Sequence, residues 1–134
     1  MIVEFGQLWN AAAVILALQA TAWGWRINRE SGLAEKNEPT WLPVADIMNL
    51  FAMAVTAGGV FVGPILGLWT EQTAGKYFGL AIILLVGHAT ALAGHYELFR
   101  IGKRSAAYFP MQEKLAVALT CIVVAIYSIA AISS

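Results

Sequence analysis

Five side chains in this sequence are of types that take up and release protons or hold small ions, in stretches that are otherwise apolar. Asp46, Asn49 and Thr56 lie within LPVADIMNLFAMAVTAGGVFVGPILGLW, residues 42–69, and His88 and His95 lie in the apolar stretch that follows it. At about 100° per residue, Asp46, Asn49 and Thr56 share one narrow stripe with Gly63 and Gly67, and Gly59 sits at its edge. His88 and His95, seven residues apart, stack on one helix face two turns from each other, with Ala91 between them. Imidazole is the side chain whose charge changes most readily near neutral pH. An ionised aspartate at the centre of a membrane helix costs about 2.5–3.5 kcal/mol on insertion scales, so these groups must face protein or water, and they are functional hypotheses by default.

The elements that carry them are membrane helices. Apolar residues make up 60% of the 134 and charged residues only 12%; a soluble domain carries about 25% charged residues. Four stretches match the ~20 residues that cross a hydrocarbon core, at about 5–25, 42–69, 77–99 and 114–132. The fold class expected is therefore all-α: one polytopic membrane domain over 1–134, a four-helix transmembrane bundle. A cleavable signal peptide is the rival for the first stretch. Ala20-Thr21-Ala22 has the small-residue pattern, but the residues before the stretch carry Glu4 and no basic side chain. Trp9, Trp23 and Trp25 fall near the two ends of this stretch, as interfacial aromatic belts do.

Arg26–Trp41 reads as a polar loop, with Thr40 as N-cap of the second helix and Pro43 in its first turn. Pro64 cannot donate to the carbonyl of Val60, so the second span should be irregular near Gly58, Gly59 and Gly63. Thr70–Lys76 is a connector short enough to make spans two and three antiparallel neighbours. Residues 100–113 form a basic loop whose Tyr108–Phe109 centre suits the headgroup zone. Seven of the eight Lys and Arg lie at two loops: Arg26, Arg29 and Lys36 at the first, and Arg100, Lys103, Arg104 and Lys114 at or beside the third. The positive-inside rule puts loops 26–41 and 100–113 in the cytoplasm and both termini on the non-cytoplasmic side, in a bacterial-type inner (plasma) membrane.

With that orientation, a rise of 1.5 Å per residue puts Asp46 about 8 Å from the cytoplasmic ends, His95 about 8 Å, Asn49 about 13 Å and His88 about 18 Å. Gln19, Thr21, Thr120 and Cys121 fall about 8–11 Å in. The expectation is that Asp46 and His95 face each other, with Asn49 nearby. Tyr96 and Glu97 are expected at the interface.

Three functions follow from different features. An oligomer could use Asp46, Asn49, Thr56, His88 and His95 as a proton or small-ion path. An accessory subunit could dock to a larger complex by the Gly59-xxx-Gly63-xxx-Gly67 face, since small residues let backbones approach. A redox protein could hold haem b through His88 with Met53, or with the histidine of a second copy. Only one span carries histidine, so no cofactor is assumed. The partners expected are the lipid bilayer and either further copies of the chain or a larger membrane complex. Zero formal net charge argues against nucleic acid. No nucleophile elbow, phosphate loop or metal-ligand spacing is present, so an enzyme is not expected. The lone Cys121 reads as an inert small apolar group.

Overall fold

The computed structural model describes residues 5–98 and 109–133. Among them there is no strand, and there are four helices: α1 (Phe5–Ala34), α2 (Val44–Ile65), α3 (Glu71–His95) and α4 (Met111–Ser133). Three of them, α2, α3 and α4, are long and apolar enough to cross a membrane. α1 has the length, but Gln7, Asn10 and Gln19 thin its apolar content. Arg100, Lys103, Arg104, Tyr108 and the expected end of the third span at 99 lie outside the described residues.

Several boundaries differ from the sequence expectation. α1 does not stop at Arg26 but continues to Ala34. Nothing breaks it there, because Gly32 is tolerated and Arg26 pairs with Glu30 one turn on, at 3.2 Å. α2 does not begin at Thr40. Leu42 precedes Pro43, which disfavours helical backbone at Leu42, and the helix starts at Val44 with Pro43 as its N-cap. α3 begins at Glu71, because Thr70 accepts the Thr73 amide at 3.4 Å and caps a helix that takes in most of the expected connector. Three helices end in the same way. Asn37, Gly67 and Glu97 adopt φ of 55°, 67° and 49°. In each case the amide of that residue and of the next bond back to the third- and second-last carbonyls of the turn, as in Leu68 to Gly63 and Gly67 to Pro64. Gly67 is therefore a helix stop with open space around it and does not extend the expected packing face.

Pro64 produces a wide turn. Over Thr56–Val62 the helix is π-wound, and the Gly63 amide donates to Gly58 five residues back. Gly59 loses its usual donor by this, and Val60 loses its donor because Pro64 has no N–H. Two indoles supply replacements: Trp69 Nε1 donates to the Gly59 carbonyl at 2.9 Å and Trp9 Nε1 to the Val60 carbonyl at 3.1 Å.

Residue pairs along the helices give their order. Trp9 meets Val60 and Arg26 meets Asp46, so α1 and α2 are antiparallel. Gly59 meets Tyr77 and Met48 meets Gly87, so α2 and α3 are antiparallel. Gly79 meets Tyr127, Gly87 meets Thr120 and Gly94 meets the Gln112–Glu113 backbone, so α3 and α4 are antiparallel. α3 is central, α2 and α4 pack on it, and among the described residues α1 and α4 do not touch. Gly79, Gly87 and Gly94 of α3 take the Tyr127 and Thr120 side chains and, at Gly94, the α4 backbone itself, a row the sequence reading did not single out. Gly59 and Gly63 are also covered, by Tyr77 and Trp69 of the same chain, so neither is open to a partner. α4 buries little beyond Glu113 and Thr120.

A side chain at Gly94 would sit 2.7 Å from α4 backbone. Gly94→Ala should therefore lower stability by about 1–3 kcal/mol. Gly75→Ala, which enters open space on the same helix, should be neutral or stabilising by up to about 1 kcal/mol. Thermal midpoints in one detergent check the pair.

Candidate functional site

The polar residues gather at the end of the molecule where α2 begins. An α-helix starts with amides that have no partner inside it, and one of these, on Ala45, is buried. Glu113, fully buried at the start of α4, accepts it through Oε1 at 3.2 Å. Its Oε2 lies 2.7 Å from His95 Nδ1. A carboxylate beside a helix N-terminus also meets the positive end of the helix dipole. The carbonyl of Ala45 is held as well, by His88 Nδ1 at 2.8 Å. A carbonyl only accepts, so Nδ1 of His88 carries the proton.

Next to Ala45, Asp46 is buried and takes Arg26 of α1, with Nε to Oδ2 at 2.6 Å. Arg26 Nη1 and Arg29 Nη1 both donate to the Tyr96 hydroxyl, at 3.1 and 2.6 Å. Glu30, one turn on in α1, lies 3.2 Å from Arg26 Nη2 and so shares the guanidinium with Asp46. Trp41 packs edge-on against His95, ring centroids 5.2 Å apart. One turn deeper, Asn49 Nδ2 donates to the Gln19 backbone carbonyl at 3.2 Å. That leaves Asn49 Oδ1 and both side-chain polar atoms of Gln19 buried with no protein partner.

The sequence-selected residues are thus divided among different partners. Asp46 and His95 do not pair: Asp46 binds Arg26 and His95 binds Glu113. His88 reaches the second residue of α2 through the Ala45 carbonyl. Met53 lies about 12 Å further along α2, while Met48 is the methionine that packs at Gly87, beside His88. The arrangement does not bring His88 and Met53 together as a haem pair, and among the described residues no group of three or more His, Cys, Asp or Glu is placed to hold a metal. Thr56 is buried two turns above Asn49 and donates to its own helix, to Ala52 at 2.9 Å. Thr120 does the same toward Ala116 at 2.8 Å, and Cys121 is exposed.

Arg26 and Glu113 are the participants that the sequence reading left among loop charges. A signal for Arg26 was present: Ala12, Gln19 and Arg26 recur at seven-residue spacing, and the first two are the buried residues of α1. Glu113 had a weaker one, an acid three residues after Pro110 at the head of an apolar run.

No protein-family model, curated protein or solved structure matches this chain.

Removing a buried hydrogen-bonding side chain strands its partners. Glu113→Ala, which leaves the Ala45 amide and His95 Nδ1 without theirs, should cost about 1–3 kcal/mol for each group stranded. Lys36→Ala, in the exposed turn after α1, should stay within about 0.5 kcal/mol. Unfolding by denaturing detergent measures both.

Proposed function

We propose that this is an integral membrane protein of four spans that moves protons or small ions, with the polar centre at the head of α2 as the place of uptake. α1, about 45 Å long by its 30 residues, is the fourth span. Its antiparallel register along the full length of α2 supports this. The bias of Lys and Arg toward the loops at the α2 head supports a cytoplasmic position for that end, with both termini on the other side of a plasma-type membrane.

The observation that carries the reading is the burial of Asp46, Asn49, His88 and Glu113 together, each no more than 6% exposed, inside helices that otherwise offer lipid-like surface. Hydrogen-bonded packing explains part of this, as interhelical polar contacts are common in membranes. It does not explain the unpaired amide atoms of Gln19 and Asn49. The charged groups hold one another, so the site is closed at rest, and transfer proceeds by exchange of partners rather than through an open pore.

A second reading rests on α1. Gly6, Asn10, Ala13, Ala17, Ala20 and Gly24 are all exposed at alternating spacings of three and four, an outward row that suits docking to another membrane helix. On that reading the protein is an accessory subunit of a larger complex, or an oligomer.

Reconstituted vesicles separate the two. Purified protein should collapse an imposed pH or cation gradient above the empty-vesicle rate. Asn49→Leu should lower that flux about tenfold, the effect of roughly 1.4 kcal/mol on a barrier. Vesicles that hold their gradient, together with migration as a stable hetero-complex in mild detergent, would leave the accessory reading standing.

A further inference from the structure

We infer that water enters the protein from the basic end, between α1 and α2, and stops at Gln19 and Asn49. Both side chains are only 1% exposed. Three of their polar atoms, Gln19 Oε1, Gln19 Nε2 and Asn49 Oδ1, have no protein partner. Buried amides left bare are costly, and buried waters typically satisfy such groups with about three hydrogen bonds each. The mixture of atoms selects the ligand. Two oxygens need donors and one nitrogen needs an acceptor, so a cation would serve the oxygens and leave Nε2 bare. Water both donates and accepts. The bond from Asn49 Nδ2 to the Gln19 carbonyl fixes which way the Asn49 amide points, so its oxygen is the free atom.

A route is present beside it. A hollow of about 210 Å³ lies one helical turn nearer the basic end, lined by Trp23, Arg26, Glu30, Trp41, Leu42 and Asp46, among others. Trp23 is four residues from Gln19, and Asp46 is three from Asn49, so the hollow and the free amides share one seam. The α3–α4 seam differs. There Gly79, Gly87 and Gly94 are met by Tyr127, Thr120 and the Gln112–Glu113 backbone, and among the described residues of that seam one side-chain atom, Gln112 Oε1, is buried without a protein partner, against three at Gln19 and Asn49. The inference stands on the amides and the hollow, and it names the uptake route that the transport reading requires.

The test is water-edited solid-state NMR on isotope-labelled protein in lipid vesicles. Magnetisation starting on water should reach the side-chain NH₂ groups of Asn49 and Gln19 as fast as that of Asn37, which sits in an exposed turn. Build-up as slow as at the amide of Ala81, fully buried in α3, overturns the inlet. So does a direct hydrogen bond between the Gln19 and Asn49 side chains. Gln19→Leu should slow transfer to Asn49, and the wild-type measurement decides the matter even if that variant fails to fold. A hydrated inlet without gradient collapse removes transport only. Collapse with dry amides removes the inlet only.

Discussion

The unsatisfied amide at the head of α2 is the constraint around which the molecule is arranged. A helix whose first turn is buried must find acceptors for its first N–H groups. Here the Ala45 amide finds one on another helix, in Glu113. That acceptor needs a partner of its own and finds it in His95 of α3. The neighbouring Asp46 then needs a cation, and Arg26 of α1 supplies it. Three helices are thereby attached to one turn of the fourth. At the other end of the molecule a similar logic holds by different means: the carbonyls freed by Pro64 are met by two indoles, and Lys76 reaches the Ala131 carbonyl at 2.6 Å near the end of α4.

Between these ends the helices are held by shape. Gly79, Gly87 and Gly94 admit Tyr127, Thr120 and the α4 backbone, where a side chain would force the helices apart. The contrast between the seams is chemical. α3–α4 sets glycines against Tyr127, Thr120 and the Gln112–Glu113 backbone, whereas α1–α2 carries the Arg26–Asp46 pair and the amides of Gln19 and Asn49.

Much of this was legible in the sequence. Helix number and the strip of α2 that turns inward follow from length and periodicity, and Asp46, Asn49 and Thr56 are indeed the polar buried residues of that helix. The irregularity at Pro64 also follows from its missing N–H. Partner choice did not follow. Depth counted from loop ends placed Asp46 and His95 at one level, but depth says nothing of rotation about each helix axis. Rotation is what turns Asp46 toward α1 and His95 toward α4. Glu113 and Arg26 looked like loop charges because the polar stretches around them were read as loops, whereas α1 runs on to Ala34 and α4 has already begun at Met111. The glycine row of α3 was hidden because its spacings of eight and seven do not form the short small-xxx-small pattern that marks Gly59 and Gly63.

The bond between Glu113 and Ala45 spans 68 residues of chain. At synthesis rates of about 5–20 residues per second, α2 waits roughly 3–14 s before its acceptor has even been made. During that interval the Ala45 amide has no Glu113 to bond, so the contact that ties the head of α2 to α4 can close only after the last helix has left the ribosome.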